Sequence, residues 1–277
     1  MSSTGPGDPD GLTRWQLGRV GRRLATLGAQ DGAAVRAALA AARAADRGHL
    51  RRALAAGHPA AEVLALAERI AAHPPDWVAA RLRLVDDDPG PRYRLGARLD
   101  QVDATTCGTA VLLALATGAD PLAALELSTP DGSTDEDGFG GRFDRRQQLV
   151  HRQSNLFWPR ALGTSPYGMT RWLARRATGV GPYRVRWVCG FPGRGLDRLV
   201  AEVDRALAAG DPVPLLVGAR LPRHYVLALR RDDSAGWRVY EPSSGEVRVV
   251  PVAAVGRRQL APWLGFDRLY AALLPGG

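Results

Sequence analysis

A cysteine at the start of an apolar helix is the residue with the clearest chemical potential in this sequence. Cys107 follows Thr105 and Thr106, either of which can cap a helix N-terminus, and it precedes an apolar run that extends to Leu113. The positive end of a helix dipole favours the thiolate, which is the nucleophilic form of cysteine. The position of Cys107 therefore predicts a nucleophile for acyl transfer.

Two neighbours of this cysteine fit the same chemistry. Gly108 carries no side chain and leaves room for a substrate to approach the sulfur. Gln101 lies six residues before Cys107, and its amide N–H can donate to the oxyanion that forms when a thiolate attacks a carbonyl. We expect both residues to face the substrate.

A cysteine nucleophile needs a base, and His224 is the candidate because it opens an apolar strand over residues 224–229. Glu241 ends the next predicted strand, 17 residues later. Antiparallel pairing of these strands would place the carboxylate of Glu241 beside His224, where it could orient the ring and stabilise the imidazolium. A Cys107-His224-Glu241 triad is the prediction.

Three segments of the sequence also carry a family resemblance: Gln101-x5-Cys107-Gly108, Gly210-Asp211-Pro212-Val213, and His224-Tyr225-Val226 with Glu241-Pro242-Ser243-Ser244-Gly245. Over about residues 92–274 the chain resembles the papain-like cysteine peptidases, most closely the bacteriocin-processing (double-glycine leader) peptidases and their stand-alone relatives. The resemblance implies a papain-like fold with Cys107 as nucleophile, His224 as general base and acid, Glu241 as orienting carboxylate and Gln101 as oxyanion donor.

The sequence departs from the family pattern at two positions. Thr106 and Glu241 stand where that family usually has aspartate. Glutamate is one methylene longer, so its carboxylate must retract or pair with a shifted imidazole. Because catalysis tolerates little misplacement, the expected consequence is either a slower reaction or a different substrate.

Residues 128–165 are predicted to form one long loop, and a loop of this length in a compact domain is usually functional or disordered. We expect it to form one wall or lid of the substrate cleft, with Phe157 and Trp158 as apolar contacts. Tyr225, next to His224, is a further expected substrate-binding residue. Cys189 lies in a strand-like run and is expected to be buried. The remaining histidines lack the close spacing of a metal site, so no metal or organic cofactor is predicted.

Composition excludes several classes of protein. The chain has 277 residues, and its 37 basic residues are all arginine, which gives a formal net charge of +9. No basic stripe alternates with aromatic residues, so no specific nucleic-acid partner is predicted.

Two cysteines cannot form a disulfide framework, and no apolar run approaches the ~20 residues that cross a bilayer. The N-terminus also lacks a signal-peptide pattern, so a cytoplasmic protein without a membrane span is expected.

The elements that must position these residues divide the chain in two. Residues 1–90 predict an Arg/Ala-rich helical domain of three or four helices, with breaks at Gly28, residues 46–48, residues 57–59 and residues 73–75. The acidic, proline-containing stretch 86–91 predicts an exposed linker. Residues 91–277 predict an α+β domain, whose helices and strands are expected at 106–117, 167–176, 196–209, 213–217, 224–229, 237–240, 246–250 and 269–273.

Together these patterns predict a thiol hydrolase that cleaves a peptide or isopeptide bond through a thioester. Two alternatives stay open. One is a catalytically inactive papain-like module that binds a peptide or protein, and the other is a thiol acyltransferase of the transglutaminase type. The predicted partner is a peptide or protein substrate, and the helical domain could recruit a further protein.

Overall fold

The computed structural model describes residues 8–129, 138–155, 163–188 and 194–276, and it shows an α+β protein. Within these ranges the chain forms twelve helices and nine strands. The helices are concentrated in the N-terminal half, and most strands follow residue 182, as the sequence pattern predicted.

Five helices occupy the N-terminal region, one or two more than the periodicity predicted. They are α1 (Arg14–Thr26), α2 (Ala29–Ala41), α3 (Ala44–Ala56), α4 (Ala60–Ala71) and α5 (Pro75–Leu82). Thr13 caps α1 in a reciprocal capping box with Gln16. Gly57 ends α3 in the left-handed conformation at φ 103°, which costs glycine little.

The expected break at residues 46–48 is wrong, because these residues lie in the first turns of α3. Asp46 belongs to the first turn, where an acidic side chain favours helix formation, and it pairs with Arg43. Gly48 is required by packing: a Cβ at this position would lie 2.6 Å from the Asp10 carbonyl oxygen. The chain breaks instead at Ala42 and Arg43, between α2 and α3.

The acidic stretch 86–91 is not a free linker. Asp86 pairs with Arg92 and Arg94, and Asp87 is half-buried and pairs with Arg230. The stretch ends in the two-residue strand β1 (Gly90–Pro91), and two more strands of this length follow it, β2 (Tyr93–Arg94) and β3 (Ala97–Arg98). β1 joins the edge of the main sheet, so the stretch is tied to the second half of the chain.

The second half of the described chain contains both the elements that the sequence predicted, close to their predicted bounds, and further elements that it did not predict. They are α6 (Cys107–Ala119), α7 (Pro121–Ser128), α8 (Gly138–Ser154), α9 (Pro166–Arg176), β4 (Tyr183–Trp187), α10 (Arg194–Ala208), β5 (Val213–Gly218), β6 (Pro222–Asp232), β7 (Gly236–Glu241), β8 (Glu246–Pro251), α11 (Val252–Arg257), α12 (Ala261–Leu264) and β9 (Arg268–Pro275).

Seven strands form one antiparallel sheet in the order β1-β8-β7-β6-β5-β9-β4. Successive residues of a strand point to opposite faces, and the two faces have separate cores. Leu216 and Leu227 pack in the core that contains α6, whereas Leu215 and Val226 pack in the core that contains α10. The sheet thus lies between α6 and α10.

The predicted loop 128–165 is wrong over residues 138–154, which form α8. The buried residues of this helix recur every three or four positions, from Phe139 and Phe143 through Gln147 and Val150 to Ser154. Polar residues share the buried face with apolar ones, which weakened the helical pattern in the sequence. The Gln147 amide reaches the Asp100 carbonyl oxygen at 3.0 Å, so α8 packs beside the segment that precedes α6.

The N-terminal helices contact the rest of the chain directly. Leu125 of α7 belongs to the apolar cluster of the five N-terminal helices. The Thr178 hydroxyl donates to the Ala56 carbonyl oxygen at 2.6 Å, and His58 Nε2 lies 3.0 Å from both carboxylate oxygens of Asp120. The two predicted regions are therefore joined by apolar packing, hydrogen bonds and an ion pair.

Two further properties concern the described ranges as a whole. No single helix there is long and apolar enough to cross a membrane, and α6 and α7 meet the length and composition criteria only as a pair bent by 117°. The same residues contain no group of three or more histidine, cysteine or acidic side chains that could hold a metal ion.

Candidate active site

Cys107 is the first residue of α6, the helix that the core surrounds on nearly every side. Its side chain is only 1% exposed. Thr106 is the N-cap residue, as predicted, but its side chain makes no capping bond. The Thr106 hydroxyl instead donates to the Asp103 carbonyl oxygen at 3.0 Å. This leaves the first N–H groups of α6, which have no intrahelical acceptor, directed at the space in front of the helix.

His224 lies on β6, the strand that faces the N-terminus of α6. The Cys107 side chain lies close enough to the imidazole to be one of the groups that raise its pKa. The Phe266 ring lies against the imidazole, with centroids 5.4 Å apart, and His224 is 6% exposed. The ring is thus fixed between the thiol and an aromatic wall.

Glu241 ends β7, which pairs with β6 as predicted. His224 Nε2 donates to Glu241 Oε1 at 2.6 Å. Because Nε2 is occupied in this way, Nδ1 is the ring nitrogen left to face Cys107. The structure therefore brings the three side chains together in the order Cys107, His224, Glu241.

The turn after β7 surrounds the Glu241 carboxylate with donors. Oε1 also accepts from the Ser243 backbone N–H at 3.1 Å, while Oε2 accepts from the Ser243 hydroxyl at 2.6 Å and the Ser244 N–H at 2.9 Å. Four donors hold the two oxygens, and the residue is 2% exposed. The glutamate side chain is thus folded over its own turn, which accommodates the additional methylene.

Both charges of the buried pair are stabilised. Burial opposes the imidazolium, but the neighbouring Cys107 and the hydrogen bond with Glu241 raise the pKa of His224 to about 9. Burial also opposes the carboxylate, but hydrogen bonds from His224 and Ser243 lower the pKa of Glu241 to about 2. At neutral pH the pair is therefore an imidazolium and a carboxylate.

Gln101 lies beside the same turn. Its backbone N–H donates to the Pro242 carbonyl oxygen at 2.8 Å, which ties the segment before α6 to the turn after Glu241. The Gln101 side-chain Nε2 donates to the Asp103 carbonyl oxygen at 2.8 Å. An amide nitrogen carries two hydrogens, so this bond leaves one donor for a substrate. The amide oxygen is buried without a partner among the described residues.

A cavity of about 170 Å³ opens beside the sulfur. Cys107, Leu216 and Tyr225 form its floor, and the segment 163–167 with Trp187 forms its sides. Tyr167 is exposed at the cavity, and the Trp187 indole N–H donates to the Tyr167 hydroxyl at 3.2 Å. An apolar depression with an aromatic rim therefore adjoins the thiol.

Gly108 does not leave open space next to the sulfur, contrary to the expectation. A Cβ at Gly108 would lie 2.9 Å from Thr164 Cβ and 3.3 Å from Tyr225 Cδ2. Glycine is required here because α6 approaches these two side chains closely. The hydroxyls of Thr164 and Tyr225 are buried and have no partner among the residues described, and burial with the nearby Cys107 raises the pKa of Tyr225 well above its ordinary value.

Three predicted positions lie outside the described residues, namely Phe157, Trp158 and Cys189. Sequence reasoning missed Thr164, Tyr167 and Trp187, which line the cavity from segments distant in sequence, and no local pattern identified them. Ser243 and Ser244 were part of the quoted turn motif. Their hydroxyl and N–H groups, two and three residues after an acidic residue, were a signal that the turn could bind its own carboxylate.

No protein-family model matches the chain, and no curated protein matches it.

Proposed function

We propose that this chain is a cysteine-type hydrolase with a papain-like arrangement, which cleaves a peptide or isopeptide bond. The observation that carries the proposal is the buried hydrogen bond between His224 and Glu241, with Cys107 beside the same imidazole. A nucleophile, a base and a group that orients the base form the unit that activates a thiol. The α+β architecture, with the cysteine on a helix and the histidine on an antiparallel sheet, supports the papain-like assignment.

In the proposed reaction, the Cys107 thiolate forms a bond to the substrate carbonyl carbon. The oxyanion accepts hydrogen bonds from the Cys107 backbone N–H and the free N–H of Gln101. When the C–N bond breaks, the leaving nitrogen takes the proton from the His224 imidazolium and a thioester remains. His224 then removes a proton from water, whose oxygen attacks the thioester, and the sulfur leaves as thiolate.

Features of the cavity support a peptide as substrate. Its lining is largely apolar, with Leu216 and Pro222 among the lining residues, and Leu221 next to it is 73% exposed. Exposed apolar and aromatic side chains around a nucleophile favour contact with an extended peptide. The small volume favours a narrow group next to the reacting carbonyl.

A second candidate is an inactive module that binds a peptide, and the 1% exposure of Cys107 favours it. The two candidates differ in the reactivity of the thiol, since only a thiolate reacts rapidly with an alkylating reagent.

Alkylation by iodoacetamide at pH 6 distinguishes them. Both proteins in the comparison carry Cys189→Ala, so that only Cys107 can react. We expect Cys107 to react about tenfold or more faster when His224 is present than when His224→Gln removes the imidazolium. His73→Gln, at the end of α4, is the matched control and should leave the rate unchanged. Equal rates with and without His224 would contradict the hydrolase, and an unreactive Cys107 would favour the binding module. For a reactive thiol, product analysis with added amines separates hydrolysis from acyl transfer.

A further inference from the structure

A second and larger cavity, of about 480 Å³, lies between the N-terminal helices and the sheet. Its walls come from the segment before α1, from α3, from the chain after α5, from the C-terminal half of α6 and from β6. It shares no lining residue with the cavity beside Cys107. Its volume lies within the range of about 300–1,000 Å³ that is typical of small-molecule sites.

Arginine side chains give this cavity a positive wall. Arg52, Arg83 and Arg230 line it together with the acidic residues Asp10 and Asp87. Both acids are already paired with arginine. Asp10 pairs with Arg47 and Arg51 of α3. Asp87 pairs with Arg83 at 3.6 Å and with Arg230. Arg52 is the lining cation that lacks an acidic partner.

The Arg52 guanidinium donates one hydrogen bond to another described residue. Nη1 donates to the Asp10 carbonyl oxygen at 3.3 Å, whereas a guanidinium offers five N–H donors. Burial and the charge of Arg83 lower the pKa of Arg52 to about 10, so it stays charged at neutral pH. Burial, and next to it the charges of Arg52 and Arg83, lower the pKa of the nearby His49 to about 3. Asp10 and Asp8 oppose the lowering of the Arg52 pKa, but three arginines and two acidic residues line the cavity, so its lining carries an excess of positive charge.

Apolar side chains line the rest of the cavity: Ala114 and Leu115 of α6, Leu227 of β6, Leu82 at the end of α5 and Val85 after it. A ligand that satisfied both kinds of lining would carry negative charge at one end and hydrocarbon at the other.

We propose that this cavity binds a small amphipathic anion, with a carboxylate or phosphate group on Arg52 and Arg83 and an apolar body against α6 and β6. Such a ligand would supply the acceptor that Arg52 lacks and would cover the apolar wall. The site is independent of the proposed hydrolase activity, because it uses none of the residues around Cys107.

Calorimetric titration of the full chain tests this proposal with four probes: octanoate, octyl phosphate, 1-octanol and inorganic phosphate. Octanoate or octyl phosphate should bind at least about tenfold more tightly than 1-octanol, because charge-assisted hydrogen bonds are lost with the neutral head group. Whichever of the two binds more tightly identifies the head group. Inorganic phosphate should bind more weakly than octyl phosphate, because it leaves the apolar wall uncovered.

Three variants locate the binding. Arg52→Gln should weaken binding of the anionic amphiphile about tenfold or more. Gly118→Leu should also weaken it, because Gly118 lines the cavity, its Cβ position meets no other part of the chain within 4 Å, and a leucine side chain there would occupy space that the ligand needs. Leucine is also the better helix former, so this variant should remain folded. Arg36→Gln, on the exposed face of α2, is the control that should leave binding unchanged.

Binding that is equal for octanol and octanoate, or unchanged in both Arg52→Gln and Gly118→Leu, would overturn the proposal. The absence of binding by either anionic amphiphile would do the same. If Arg52→Gln fails to fold, the charged-against-neutral comparison and Gly118→Leu still decide the question.

Discussion

Replacing Glu241 with glutamine tests the electrostatic core of the candidate active site without changing its shape. The variant keeps the side-chain length but removes the negative charge. It also puts an amide nitrogen, which cannot accept, in place of one carboxylate oxygen. If the nitrogen replaces Oε2, the bonds from the Ser243 hydroxyl and the Ser244 N–H are lost, and if it replaces Oε1, the bond from His224 is lost. Glutamine cannot accept from all four donors at once.

The expected effect is a lower pKa for His224, whose value in the wild-type chain is about 9. A hydrogen bond to a charged partner contributes about 1.5–3 kcal/mol, and one pH unit corresponds to about 1.4 kcal/mol. Loss of the charge on Glu241 should therefore lower the His224 titration midpoint by about one to two pH units.

Titration of the imidazole signals by NMR measures this midpoint. The His224 signal is assigned from its absence in His224→Gln. Glu62→Gln is the matched control, because Glu62 contacts His58 and not His224. An unchanged His224 midpoint in Glu241→Gln would refute the conclusion that the Glu241 carboxylate sustains the imidazolium.

The same pair sets a window of pH for stability. The folded-state pKa of His224, about 9, lies above the ordinary value of 6.5. Its contribution to stability is therefore complete below about pH 6.5 and is lost as the pH rises through 9. The pKa of Glu241 is lowered to about 2 from 4.5, so its contribution is present above about pH 4.5 and is lost as the pH falls through 2.

Three further changes have defined outcomes. Glu241→Asp retracts the carboxylate by about 1.5 Å, so it should lower the NMR titration midpoint of His224 although it keeps the charge. Asp120→Asn keeps the cap of α7 but removes a charged partner of His58, whose pKa that partner raises; the partly exposed pair should contribute at most about 1 kcal/mol, measured by urea unfolding, and the loss should be larger at pH 5.5 than at pH 9. Leu112→Ala truncates a side chain that is 0% exposed and should lower the free energy of unfolding by about 2–5 kcal/mol in the same assay.

Local sequence signals predicted the elements that carry the triad. α6, α9, α10 and the strands β5 to β9 begin and end near their predicted positions, because apolar periodicity and turn residues agree there. The helices α5 and α7 were missed because each is short. α8 was missed because its buried face includes the polar residues Gln147 and Ser154. Gln147 bonds to Asp100 through a tertiary contact, whereas the Ser154 hydroxyl donates within the helix to the Val150 carbonyl oxygen.

The candidate site shows the same division between local and tertiary information. Strand pairing was sufficient to predict that Glu241 lies beside His224. Neither spacing nor residue type could show that Thr164 fills the space in front of Gly108, because the two are 56 positions apart in the sequence and only the fold brings them together.

The glutamate at position 241 is best understood as part of its turn. An orienting carboxylate must point one oxygen at the imidazole and have its remaining lone pairs satisfied, since a buried charge without donors is costly. The turn supplies those donors from Ser243 and Ser244, and both oxygens are used. The additional methylene lets one carboxylate reach His224 and the donors of its own turn together. The length of the glutamate side chain is therefore compatible with an oriented imidazole.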